Sequence, residues 1–330
     1  MLRILLLVCL LIVPLCSAYA QPNGNGTSPT DEAESRVTKV RFSGNNNVRS
    51  STLQLLVRTR SNRRLLNIPG FTVWYWLNSV NERWGEPATR LDRQIVANDI
   101  ERINAFYRSL GYLDSEVDTI IVDYGNRRYE VSFLIREGSR ARINRVHYSG
   151  FPEFDDDRVL QRFYRRSPLA ESQIDDTTFT SDAAFSYDVI SNERNSIMSV
   201  LRNNGYAAVQ RDSVRAVIER PPDDPLNLNV LFLIESGRQY TFGDVFINID
   251  GPAQADTTAD YFVVGPPDTI DPHKIHIRRE QSAFTRFSLL TDNIMFTPGE
   301  IFNYDQYLLT VRRFQNVGMI NVRQFGLSSD

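Results

Sequence analysis

Three histidines, two cysteines and a few acidic runs are the residues of this 330-residue chain whose types could do chemistry. His273 and His276 stand three apart, so two imidazoles could meet. No third ligand is evident beside them, and a polar loop pair is the simpler reading. His147 lies in a segment of alternating polarity, where an outward position accounts for it. Asp155-Asp156-Asp157, Asp175-Asp176 and Asp223-Asp224 lack the alternating spacing of a calcium loop, and helix caps and turns explain them. Cys9 and Cys16 both fall in the first 20 residues, which leaves no thiol for catalysis or thiolate ligation once that segment is removed. Neither a Gly-x-Ser-x-Gly elbow nor a phosphate-binding Gly-x(4)-Gly-Lys-Ser/Thr loop occurs. The expectation is a protein that is not an enzyme and uses neither metal nor cofactor.

Exposed aromatics are the other candidates. Trp74, Tyr75, Trp76 and Trp84 crowd one spacer, after Arg58, Arg60, Arg63 and Arg64. A partner or lipid surface could use them, but packing on their own domain and a solvated helix end are favoured. With 37 basic and 40 acidic residues the net charge is −3, which argues against a nucleic-acid partner. Arg3, the apolar run 4–13, and Ala18 and Ala20 at the −3 and −1 positions form a secretory signal, 1–20, cleaved after Ala20. The run is too short to anchor in a bilayer. Residues 21–36 read as a flexible leader.

Three repeats of roughly 100 residues follow, at 37–138, 139–238 and 239–330. Each opens with an alternating strand stopped by glycine: Val40-Arg41-Phe42-Ser43-Gly44, Val146-His147-Tyr148-Ser149-Gly150, and Val245-Phe246-Ile247-Asn248-Ile249-Asp250-Gly251. Each later carries an amphipathic helix ending at Gly111, Gly205 or Gly318, the residue that most cheaply adopts a left-handed cap. In the first helix, Leu91, Ile95, Ile100, Ile103, Tyr107 and Leu110 mark the apolar face. Two strands follow in the first two repeats: 117–123 and 128–135, then 209–218 and 227–234. Short helices are expected at 51–58 and 156–163. The order strand, helix, helix, strand, strand predicts an α+β fold of tandem two-layer repeats, each a three-stranded mixed sheet packed on two helices. In the third repeat 322–325 can supply only the second strand, so the last is expected to be missing. The spacers 61–89 and 166–186 are long for loops.

Val40 to Asn45, Phe106-Tyr107-Arg108-Ser109-Leu110-Gly111-Tyr112, Phe133-Leu134-Ile135-Arg136-Glu137-Gly138 and its echo at 232–237, and the helix entry at 296–303, carry a resemblance. The chain from residue 37 onward resembles the POTRA region of the outer-membrane protein assembly factor family, of BamA/TamA type. The resemblance implies a periplasmic scaffold that docks unfolded outer-membrane proteins, accessory assembly lipoproteins and periplasmic chaperones. It further implies a membrane β-barrel that this sequence does not contain. It also implies that clients add as strands to a sheet edge. Here that edge would be 117–123 and 209–218, with Val117, Thr119, Ile121, Val209, Arg211 and Val214 at the contact. A polypeptide-transport component of two-partner secretion type, or a soluble envelope spacer or remnant without clients, are the alternatives.

Overall fold

The computed structural model describes residues 36–61, 90–250, 259–264, 274–280, 283 and 285–317. The signal, the leader up to residue 35, Arg63, Arg64, the tryptophan-bearing spacer, Gly251, His273, Gly318 and the strand expected at 322–325 lie outside the described residues.

In chain order the elements are β1 (Arg36–Ser43), α1 (Ser50–Leu56), α2 (Arg93–Ser109), β2 (Glu116–Asp123) and β3 (Arg128–Arg136). Next come β4 (Arg142–Ser149), α3 (Arg158–Arg166), β5 (Ser172–Gln173), β6 (Thr178–Thr180), α4 (Tyr187–Arg202), β7 (Val214–Glu219) and β8 (Asn227–Ile234). The last set is β9 (Val245–Ile249), β10 (Ala259–Val264), β11 (Ile275–Glu280), α5 (Phe287–Thr291) and α6 (Tyr304–Asn316). They make three mixed sheets, ordered β1-β3-β2, β5-β6-β4-β8-β7 and β10-β11-β9.

Among the described residues there are two compact units. One is drawn from residues up to Arg41, from Arg58–Asn98 and from Ile120–Ser132. The other is drawn from Phe42–Val57, Asp99–Thr119 and Phe133 onward. Within the first, the β2–β3 turn closes through Tyr124 N–H to the Arg128 carbonyl, and Asp123 accepts from the Gly125 amide. There Glu130 accepts from the Tyr124 hydroxyl at 3.0 Å and pairs with Arg41 at 2.7 Å.

The second unit holds the core around β4 and β8. Alternation dictates it: Leu228, Val230, Phe232 and Ile234 of β8 face inward while Asn229, Leu231 and Leu233 face out. Tyr148 stacks on Phe232 at 5.5 Å, and Ile190, Ile197 and Leu201 of α4 cover the same face. β4 runs parallel to β8, and β7 antiparallel to it. The spacer at 166–186 is ordered: β5 and β6 form a hairpin that pairs antiparallel with β4. Phe179 supplies its anchor, buried between two threonines and 4.5 Å from Tyr164. Asp175 accepts from the Thr177 amide in the hairpin turn, and Asp156 from the Arg158 amide at the start of α3. Those bonds hold both carboxyls below the usual carboxylate range.

Two sequence expectations need correction here. The face of α2 is Val96, Asp99, Ile103 and Tyr107; Ile95 is exposed and Leu91 precedes the helix. A buried Asp99, paired with Arg102 one turn on, lies in that face, which was expected to be apolar throughout. In the third repeat, β10 and β11 follow β9 before any helix. Even so, β9 is parallel to β11 and β10 antiparallel to it, which repeats the first-third-second order of β4-β8-β7.

Successive repeats meet through one recurring joint inside the second unit. After α2, Tyr112 N–H bonds to the Tyr107 carbonyl and Gly111 N–H to that of Arg108, the Schellman pattern. After α4, Tyr206 N–H bonds likewise to Leu201. The Gly111 carbonyl then accepts from Ala141 N–H, and the Gly205 carbonyl from Tyr240 N–H, both at 2.8 Å. Ala141 accepts in turn from Phe185 N–H, and Tyr240 from Phe302 N–H, just before the capping Ser186 and Asn303 of α4 and α6. Both glycines have positive φ, +100° and +97°. A Cβ on Gly111 would lie 2.3 Å from the Phe185 carbonyl oxygen; on Gly205 it would lie 2.4 Å from the Gln239 side chain. The close approach and the left-handed backbone both require glycine.

Candidate functional site: the open sheet edges

A sheet edge can bind when three conditions meet: unpaired backbone groups, side chains that tolerate a neighbour, and no element already covering it. In the second sheet the β5–β6 hairpin occupies the side of β4, so β7 is the long open edge. In the first sheet β2 is an edge, and in the third β10 is.

The β7–β8 ladder fixes which groups of β7 face outward. Glu235 N–H donates to the Ser213 carbonyl at 2.8 Å, and the register pairs Val214 with Ile234 and Val217 with Leu231. In an antiparallel ladder residues alternate between exchanging hydrogen bonds with the partner and pointing them away. Ser213, Arg215, Val217 and Glu219 therefore bond toward β8. Ala216 and Ile218 present N–H and C=O to the open side, while the Val214 N–H bonds to the Arg211 carbonyl and leaves only its C=O. Outside the ladder itself, no backbone bond among the described residues ties up Ala216 or Ile218.

Side chains divide the other way. Val214 is fully buried and Ala216 partly so, while Ile218 is 40% exposed at the rim of the core. On the outer face the cross-strand rows are His147, Leu231 and Val217, then Arg145, Asn229 and Glu219. A shallow, mainly apolar depression of about 500 Å³ lies there beside His147, Leu231, Val217 and Glu219. His147 Nδ1 meets the Thr178 hydroxyl at 2.7 Å, which gives it a local role in the sheet. Arg215 pairs with Glu235 at 2.7 Å, both side chains more than 60% exposed.

Of the contact residues expected from sequence, Val117, Thr119 and Ile121 all sit in edge strand β2, with Val117 buried. Val214 opens edge strand β7. Val209 and Arg211 do not belong to it, which corrects the expected strand 209–218. Val209 is a buried core residue, and Arg211 lies in a single 3-10 turn, Arg211–Ser213. The turn forms because Ser213 N–H bonds back to the Gln210 carbonyl while the Ser213 hydroxyl accepts from the Gln210 amide. Sequence reading missed β10, where Tyr261, Phe262, Val263 and Val264 are all exposed on a strand that, among the described residues, β11 alone flanks. Its signal was present, four consecutive β-formers, but fell where a helix was awaited. Gly44 and Gly150 close their opening strands against the Ile135 and Ile234 carbonyls. His276 stacks on Phe246 at 4.8 Å, and no group of three or more His, Cys, Asp or Glu suited to a metal is found among the described residues. No helix among them is long and apolar enough to cross a membrane.

One buried polar cluster lies between α4, β4 and the end of α3. The Glu193 carboxylate, 1% exposed on α4, accepts from the Tyr148 hydroxyl at 2.6 Å and the Ser167 hydroxyl at 2.7 Å. Burial pushes its pKa above the usual carboxylate range while those two hydrogen bonds pull it back. In the first repeat Glu137 accepts from the Tyr107 hydroxyl at 2.8 Å and from the backbone and side chain of Asn47. Both carboxylates tie a helix to a strand or loop.

Residues 35–138 match the family model named POTRA, described as a surface antigen variable number repeat. The segment spans β1 to β3. Among solved structures, POTRA repeats 3–5 of BamA from Haemophilus influenzae are 16% identical, cover 86% of each chain and superpose with a TM-score of 0.39. POTRA repeats 1–3 of the periplasmic domain of Omp85 from Anabaena are 10% identical over 84% of this chain and 83% of that one, with a TM-score of 0.28. CdiB from Escherichia coli is 12% identical over 60% of this chain and 27% of its own, with a TM-score of 0.24. At such TM-scores none of these likenesses carries weight beyond the family-model match.

Proposed function

We propose, from the premise that residues 35–138 are a POTRA domain, that this chain is a periplasmic docking region that binds extended polypeptide segments by strand addition. The repeats at 37–138, 139–238 and 239–330 act as successive docking units. Their clients are unfolded outer-membrane β-barrel proteins on the way to assembly, with accessory lipoproteins and chaperones as further partners. The work is binding alone and breaks no covalent bond.

The observation that carries this reading is β7: Ala216 and Ile218 turn their backbone groups outward, and Val217 and Ile218 are exposed there. Backbone pairing gives affinity with little dependence on client sequence, which suits a protein that handles many clients. Ordering a disordered segment costs free energy, so affinity is modest.

The test is a titration of labelled, β-prone peptides into the purified protein and into Ala216→Pro. Proline deletes one outward N–H and leaves every β7–β8 bond in place. The reading predicts saturable binding, weakened at least about fivefold by the substitution. Unchanged binding would exclude β7 as the site, and no binding to any extended peptide would contradict strand addition altogether.

A further inference from the structure

We infer that the β7 edge selects its client by charge order, preferring an antiparallel strand that reads basic, apolar, apolar, small, acidic from N to C terminus. This rests on the strand-addition reading and adds a sequence preference to it. Arg215, Val217 and Glu219 bond toward β8, so a strand added antiparallel on the open side would meet them as non-hydrogen-bonded pairs. In such pairs the Cα atoms approach to about 4.5 Å and side chains are closest. The residues of β7 that bear charge are thus the ones a client's side chains would touch most closely.

The order along β7 is basic, apolar, acidic: Arg215, Val217, Glu219. An antiparallel client meets them in reverse. Its first residue faces Glu219 and is best basic; its third faces Val217 and is best apolar, with the depression on the outer face to receive it. Its fifth faces Arg215 and is best acidic. The second and fourth point to the other face, opposite Ile218, which is 40% exposed and favours an apolar partner, and Ala216, which leaves less to cover. Arg215 is free to turn, because its bond to Glu235 joins two side chains more than 60% exposed, and such pairs contribute little. Among the described residues Glu219 has one side-chain contact, a long one of 3.4 Å with the Asn229 amide.

Two peptides of equal composition test this, one with the core Lys-Val-Val-Thr-Glu and one with the core reversed, both flanked by threonines. Each is titrated into the unaltered protein and into the double variant Arg215→Glu, Glu219→Arg. The expected result is a preference for the first peptide of about three- to tenfold, inverted in the double variant, since each cross-strand charge pair changes sign. Equal affinities, with binding still weakened by Ala216→Pro, would overturn the charge preference and leave strand addition standing. A preference that the double variant does not invert would overturn it too, because β7 would not be its source. Failure of both peptides to bind would overturn both.

Discussion

Glu193 is buried, carries its charge at a cost, and is held by two hydroxyls. Because burial raises its folded pKa above the 4.5 of the free side chain, the folded state holds the proton more tightly than the unfolded one. Stability from this group is therefore full below pH 4.5 and lost as pH rises through the folded value. Tyr148→Phe removes the shorter of the two hydrogen bonds and raises that value further. The expected loss at pH 7 is about 1–3 kcal/mol, and it shrinks toward acid pH. Urea unfolding of both proteins between pH 4 and pH 7 checks this; a loss independent of pH would contradict it. The two joint glycines give a second prediction. Gly111→Ala drives a Cβ into a backbone carbonyl, whereas Gly205→Ala meets first a flexible glutamine side chain. Both suffer about 1–2 kcal/mol of left-handed strain, and Gly111→Ala should lose distinctly more in the same unfolding experiment.

At the scale of elements, β7 makes its own prediction. Val217→Pro removes an N–H that bonds toward β8 and strands a carbonyl of the partner, while Ala216→Pro removes an outward one. Val217→Pro should therefore destabilise by about 1–3 kcal/mol more than Ala216→Pro, measured by thermal or urea unfolding. The elements also differ in how legible they were. β8 was read to the residue, because Asn227 to Ile234 alternates without a break and one face is buried. The start of β7 was not, since Val209 fits an alternating pattern equally well and only the Gln210–Ser213 turn shows that it belongs to the core. The β5–β6 hairpin was seen as a spacer: strands of two and three residues carry no period, and β4 as their partner is set by tertiary pairing.

Across the whole molecule the repeats were legible from punctuation. In the first two repeats a glycine after the long helix and a glycine after the opening strand recur because backbone geometry demands them, at Gly44, Gly111, Gly150 and Gly205. The third repeat broke the pattern, since β10 and β11 come before α5 and α6, yet the strand order of its sheet matches that of β4, β7 and β8. Sheet order depends on which strands pair, and pairing is long-range, so the same arrangement is reached from a different chain order. The docking edge was half legible: β2 and β7 could be named as candidates, but the residues of β7 that face outward emerged only from its register with β8. The most direct test of strand addition is amide hydrogen exchange at β7, residue by residue, with and without a saturating β-prone peptide. The account predicts that Ala216 and Ile218 exchange fast in the free protein and are protected in the complex, while Arg215 and Val217 are protected in both. Protection of Ala216 and Ile218 without peptide, or none with it, would contradict it.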